Sequence, residues 1–233
     1  MKHFFGGEMN AIATNHIEIG NHRLYQGDCL EVMKSMEDKS IDLCLTDPPY
    51  GIDEANGKND SRGDKLIKPT IFKKKSWDKK IPDKIFFDEI RRISKHQIIF
   101  GGNYFIEYLT NSSCWLVWDK NNTGDFADCE LAWTNFKTAV RKYKFTWNGM
   151  LQENMKNKEK RFHPTQKPIN LMEQILKDYS EPGQTIFDPM MGSGTTIVAC
   201  ENLNRIGIGI ELDKEYFNIA KNRIEKAADQ LSF

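Results

Sequence analysis

Two short segments combine residue types that could do chemistry. The first is Thr46-Asp47-Pro48-Pro49-Tyr50-Gly51. Pro48 and Pro49 lock φ and stiffen the backbone. Their carbonyls lack local amide donors and can accept from a ligand. Asp47 adds a carboxylate acceptor, and Tyr50 adds a flat face. Together they form a socket for a planar ring bearing an exocyclic amino group. A bare Asp-Pro-Pro is usually only a turn after a strand, but the apolar run before it and the Tyr after it weigh against that. The second segment is Asp188-Pro189-Met190-Met191-Gly192-Ser193-Gly194-Thr195-Thr196. Its glycines let the backbone approach a ligand closely, and no Gly-Lys-Ser/Thr follows, which excludes a P-loop. Glu211 stands roughly 20 residues on, the spacing of a carboxylate that accepts from ribose hydroxyls. Turn plus acid imply a nucleoside cofactor. Asp188 in place of a third glycine favours one bearing a cationic amino acid over a dinucleotide.

These segments need strands and helices to hold them. Asp42–Thr46, Gln97–Phe100, Trp115–Trp118, Thr185–Phe187 and Ile206–Ile210 read as short buried strands, several ending on an acid or a Gly turn. Leu30–Met36, Asp83–Ser94, Pro168–Tyr179, Gly194–Asn202 and Lys214–Asp229 have helical spacing, and Phe126–Phe136 reads as a further strand region. Strands alternating with helices indicate a parallel α/β sheet, in which ligands sit at the carboxyl ends of strands.

The chain has 233 residues, 33 basic against 33 acidic, and five cysteines. The length suits one sizeable domain. The odd cysteine count without a CxxC pair excludes a disulfide framework or zinc ribbon, and Cys29 and Cys44 read as core thiols. No apolar run is long enough for a membrane span or a secretory leader. The zero net charge conceals two basic stretches. Lys58–Lys80 holds nine Lys/Arg against three acids, and Lys137–Lys167 nine against two. Interleaved Phe72, Trp77, Tyr143, Phe145, Trp147 and Phe162 suit a surface that meets phosphate and bases. His163 reads as structural or DNA-facing, and Trp115 and Trp118 as core.

The sequence resembles the S-adenosylmethionine-dependent amino-group DNA methyltransferases. TDPPYG is similar to their catalytic motif and FDPMMGSGTT to their cofactor loop. HPTQKP, GDCLEVM and GIGIELDKEYFNIAKNRI match further segments, so the resemblance covers nearly the whole chain. The catalytic motif precedes the cofactor loop, as in the permuted β group. The resemblance implies a doubly wound, mostly parallel seven-stranded sheet of Rossmann-like type, in one domain over 1–233. It implies that Asp47 and the Pro48 carbonyl hold the target amino group, in a backbone stiffened by Pro49, and that Tyr50 stacks on the base. Asp188, with the turn Gly192, Ser193, Gly194 and Thr195, would hold the methionine part of S-adenosylmethionine. Glu211 would take the ribose, Asp28 would lie near the adenine, and Lys167 would flank the methionine carboxylate. Met190 stands where the family usually has Phe, which implies weaker cofactor stacking. S-adenosylhomocysteine is the implied product, and no metal is implied.

Double-stranded DNA is the implied partner, with Arg62, Lys73, Lys74, Lys75, Arg141, Lys158 and Arg161 as candidate DNA contacts. Residues 53–80 are expected to form a mobile DNA-contacting loop, and 150–162 a short target-recognition segment. So short a region implies a short target, loose specificity or a homodimer that shares the reading. The implied setting is the cytoplasm, for a prokaryotic or phage-encoded enzyme. The family tends to carry Asp before Pro-Pro-Tyr for adenine N6 and Ser for cytosine N4, so Asp47 favours adenine. A glutamine-modifying protein methyltransferase, whose motif usually begins with Asn, and a DNA-binding relative without activity remain as alternatives.

Overall fold

The computed structural model describes residues 16–52, 80–121, 127–148, 151–163 and 165–231. The strands are β1 (His16–Ile19), β2 (His22–Gln26), β3 (Ile41–Thr46), β4 (Ser94–Phe100), β5 (Trp115–Asp119), β6 (Cys129–Thr134), β7 (Arg141–Lys144), β8 (Trp147–Asn148), β9 (Leu151–Gln152), β10 (Thr185–Asp188) and β11 (Ile206–Glu211). The helices are α1 (Cys29–Lys34), α2 (Lys84–Ile93), α3 (Ile169–Tyr179), α4 (Thr195–Asn202) and α5 (Lys214–Leu231). Each helix and strand expected from spacing is present, with ends shifted by a few residues.

Nine strands form one sheet in the order β1-β2-β11-β10-β3-β4-β6-β5-β7, rather than the seven implied. The additional pairing comes from short strands at both edges. β1 folds back antiparallel on β2, and β7 runs parallel to β5. From β2 to β4 all pairings are parallel. Only β6 interrupts the far half, antiparallel to both β4 and β5.

Helices cover both faces because the central strands are apolar on both sides. On one face Val32 and Met33 of α1 join Phe86, Phe87, Ile90 and Ile93 of α2. On the other, Leu171, Met172, Ile175 and Leu176 of α3 pack with α4, and Phe217, Ala220 and Ile224 of α5 follow. The apolar spacing of α2 and α3 matches one buried helical stripe each. Cys44, Cys114 and Cys200 are buried in this core. Trp118 is buried and Trp115 partly so, as expected. Among the described residues, no helix is long and apolar enough to cross a membrane.

The winding of the chain across the sheet reverses between β3 and β10. From β3 the chain winds through α2 to β4 on one side, and from β10 through α4 to β11 on the other. A crevice at such a switch point is where open α/β sheets bind ligands. Both candidate segments leave the sheet there, one after Thr46 and the other after Asp188.

Candidate active site

The two segments are joined directly. Thr46 Oγ1 donates to Asp188 Oδ1 at 2.9 Å, and Thr196 Oγ1 of α4 donates to Asp188 Oδ2 at 2.7 Å. The Met190 amide donates to Oδ1 at 3.2 Å. Asp188 is 4% exposed, and burial pushes its carboxyl up to about 6. Its oxygens therefore serve the chain itself. Asp188 thereby pins the two loops together.

The Gly turn starts at once from this anchor. Gly192 and Gly194 have φ of +53° and +79°, the left-handed region that L side chains avoid. A Cβ on Gly194 would stand 2.9 Å from Ala220 Cβ of α5. Glu211 Oε2 accepts from the Gly192 amide at 3.0 Å, and Oε1 from the Asp213 amide at 2.7 Å. Burial raises the Glu211 carboxyl to about 7. Asp28, exposed at the end of β2, caps α1 by accepting from the Leu30 amide at 2.7 Å. The Gly27 amide donates to the Glu211 carbonyl at 3.1 Å, which brings these two acids to neighbouring strand ends. The turn, Asp28 and Glu211 thus line one side of the crevice, and an anion-accepting backbone with two carboxylates fits an aminoacyl nucleoside. Met190 packs against the α1–α2 core, and Ser193 and Thr195 are buried in the turn.

Residues that spacing did not single out hold this turn. Arg223 Nη1 of α5 donates to the Ser193 carbonyl at 2.6 Å, to Ser193 Oγ at 2.9 Å and to Thr195 Oγ1 at 3.2 Å. Its Nη2 reaches Glu159 at 3.3 Å. Glu159 also accepts from Gln166 Nε2 at 2.6 Å and from the Ile169 amide at 2.9 Å. His163 stacks edge-on to Tyr216 at 4.4 Å beside the turn, consistent with its structural reading.

Across the crevice, Tyr50 and Asp47 form a second cluster. The Tyr50 hydroxyl donates to Asp47 Oδ1 at 2.5 Å, and Lys167 Nζ donates to Oδ2. Lys167 Nζ also lies 3.1 Å from Glu130 Oε2, and Lys120 pairs with Glu130 Oε1. Lys167 thus turns its ammonium to Asp47 and Glu130. Burial raises the Asp47 carboxyl, the Lys167 charge opposes that, and Glu130 adds to it. The Pro48 carbonyl accepts no hydrogen bond among the described residues. Tyr104 stacks on Tyr50 with centroids 4.9 Å apart and planes 12° apart.

The Tyr50 ring fits only because Gly101 lacks a side chain. A Cβ there would lie 2.1 Å from Tyr50 Cε1, and φ is +68°. Gly101→Ala is therefore expected to displace the Tyr50 ring and slow the reaction at this socket by about tenfold or more. Cofactor affinity, measured by calorimetry, should stay unchanged, because the Gly192 turn lies on the other side of the crevice.

The candidate DNA contacts fare unevenly. Arg62, Lys73, Lys74 and Lys75 lie outside the described residues, as do Phe72, Trp77 and almost all of the 53–80 loop. Lys158 is exposed. Arg141 is exposed on edge strand β7, four strands and about 19 Å from β3. Arg161 lies over the Trp147 ring at 5.9 Å, and burial lowers its basicity. The interleaved aromatics are turned inward as well. Tyr143 is buried and donates to Asp178 at 2.6 Å, and Phe145 and Trp147 pack on the same core. Within 150–162, Glu159 braces the Gly turn and is not directed outward.

Comparison with known proteins agrees with this geometry. A DNA methylase family model matches residues 116–222. The type II methyltransferase M.HpaI of Haemophilus parainfluenzae is 28% identical over 88% of this chain and 74% of its own length. M.HinfI of Haemophilus influenzae is 27% identical over 87% and 68%. The crystal structure of the M1.HpyAVI complex with S-adenosylmethionine superposes with a TM-score of 0.54 at 24% identity, over 87% of this chain and 98% of that one. With both motifs joined at the sheet's switch point, this chain is similar along most of its length to type II DNA methyltransferases.

Proposed function

We propose that the protein transfers a methyl group from S-adenosylmethionine to the N6 amino group of an adenine in double-stranded DNA. The observation that carries this reading is the Thr46–Asp188 hydrogen bond, which holds an amino-group socket and a nucleoside turn on one crevice.

Bound S-adenosylmethionine supplies a methyl group already activated on sulfur. The chain contributes positioning and electrostatics. The target nitrogen is a poor nucleophile because its lone pair is conjugated into the ring. Its two N–H groups donate to Asp47 and to the Pro48 carbonyl, which pulls the nitrogen toward sp³ and localises the pair. Asp47 has room for this. A carboxylate offers about four lone-pair sites, and Tyr50 and Lys167 occupy two. The base must leave the duplex at a cost of a few kcal/mol. Stacking of the base on Tyr50 returns about 1–3 kcal/mol. The proton released on methylation passes to Asp47 or to water. Asp28, the Gly192-Ser193-Gly194 turn and Glu211 hold the cofactor, and Met190 packs beside it.

Mass spectrometry of DNA methylated by the purified protein tests the reading. N6-methyladenine is expected. N4-methylcytosine would overturn the choice of base but keep the socket, and unmodified DNA would overturn the reading altogether.

Cofactor affinity should also depend on pH. Glu211 accepts ribose hydroxyls best when ionised, and its carboxyl in the free protein is raised to about 7. Binding below that pH must expel a proton. Affinity should therefore be constant above pH 7 and fall by up to about tenfold per pH unit below it. Titration calorimetry would show this slope, and Glu211→Gln should flatten it while weakening binding overall.

A further inference from the structure

A buried chain of charge leads away from Asp47, and neither the socket nor the cofactor turn accounts for it. Lys167, from the segment before α3, is 6% exposed in its side chain. Glu130 of β6 and Lys120, just after β5, are 20% and 18% exposed. Their order in space is Lys120–Glu130–Lys167–Asp47–Tyr50. Sheet register explains how Glu130 arrives there. Thr46 pairs with Ile99, and Ile99 with Trp133. Glu130 lies three residues past Trp133 on the antiparallel β6, so it overhangs the end of β3 by about 10 Å.

Buried ion pairs contribute little to stability that apolar residues of similar volume would not. The arrangement instead does something an apolar one cannot. An ammonium facing Asp47 alone could settle on either carboxylate oxygen and compete with the amino group that Asp47 is to receive. A second carboxylate behind it removes that freedom. Lys167 is thereby held on Oδ2, as Tyr50 is held on Oδ1.

We propose that Glu130 is a positioning residue for methyl transfer, fixing the Lys167 ammonium so that Lys167 keeps the Asp47 carboxylate aimed at the target amino group. This rests on the role given to Asp47 above. The groups facing Asp47 are Lys167 and, behind it, Glu130 and Lys120, together with Tyr50, the stacked Tyr104 ring and Asp188 of β10. Burial raises Asp47, Lys167 lowers it and Glu130 raises it. Asp47 and Glu130 in turn hold Lys167 protonated against burial.

The test is single-turnover methyl transfer against pH, at saturating S-adenosylmethionine and DNA, for wild type, Glu130→Gln and Lys167→Met. Activity requires ionised Asp47, so the rate falls on the acid side. Glu130→Gln removes a charge that raises Asp47, and its acid limb should move to lower pH by about half a unit or more. Its plateau rate should drop by about tenfold as Lys167 loosens. Lys167→Met removes the opposing cation, and its acid limb should move to higher pH with a larger plateau loss. Affinity for S-adenosylmethionine should change by less than about threefold in both. Limbs that move together or stay still, an unchanged Glu130→Gln plateau, or a loss confined to cofactor affinity would overturn the proposal. The isosteric Glu130→Gln decides alone if Lys167→Met fails to fold. Wild-type protein without methylation of DNA would instead strike the reading of Asp47 itself.

Discussion

Asp47→Ala is expected to abolish methyl transfer while S-adenosylmethionine still binds. Removing a single preorganised partner of the reacting group costs roughly a hundred- to a thousandfold. Asp47 is more than a single partner. It accepts from the target amine, fixes the Tyr50 hydroxyl at 2.5 Å and receives the Lys167 ammonium. With it gone, Tyr50 loses its anchor and the socket loses its negative charge, so a loss beyond a thousandfold is expected, on the order of the assay floor. Cofactor affinity should persist because Glu211 and the Gly192 turn hold each other without Asp47. Lys167 keeps Glu130 as a counter-charge at 3.1 Å, so the fold should survive. Radiolabelled methyl incorporation and calorimetry on one preparation check both halves. Turnover near wild type would remove Asp47 from the mechanism.

Asp188→Ala should behave differently, losing stability, cofactor binding and activity together. Its carboxylate ties together the end of β3, the start of α4 and the Met190 amide. Truncation leaves two buried threonine hydroxyls and an amide short of an acceptor, at about 1–3 kcal/mol for each group left unsatisfied. Partial relaxation leaves a net cost of about 3 kcal/mol, or roughly 10 °C in melting temperature for a chain of this size. Asp188→Asn keeps an oxygen for the threonines and should fall between the two. A melting temperature unchanged by Asp188→Ala would show that the two loops are held by something else. A variant that melts early yet binds cofactor normally would show that the turn does not depend on this anchor.

Much of this was legible in one dimension, for identifiable reasons. Pro48-Pro49 and Gly192/Gly194 restrict or free the backbone whatever surrounds them, so they mark the two motifs without any knowledge of packing. Apolar period places α2 and α3, because Phe86, Phe87, Ile90 and Ile93 must share one face, as must Leu171, Met172, Ile175 and Leu176. The edge strands were not legible in the same way. β1 and β7 are four residues each, mixed in polarity, and exist because a neighbouring strand offers them an edge. The basic stretch 137–167 misled most. Its aromatics are spaced as if for stacking on bases, yet Tyr143 and Trp147 serve the core, since an edge strand has one face turned inward.

The chemistry is written in local residue order. Residue types in fixed local order specify an amino-group socket, a nucleoside turn and an acid at ribose spacing, and local order needs no folding to be read. Tertiary packing separates the acid that holds the frame from the acid that stays with the socket. Asp47 and Asp188 each precede a proline at a strand end and look alike in sequence. They part because Asp188 is enclosed by Thr46 and Thr196 from distant segments, while Asp47 pairs with Lys167 and Tyr50. Glu130 and Arg223 had no local signature at all. Their contacts span 37 and 30 residues, to Lys167 and Ser193, and sheet register and helix packing alone close those distances.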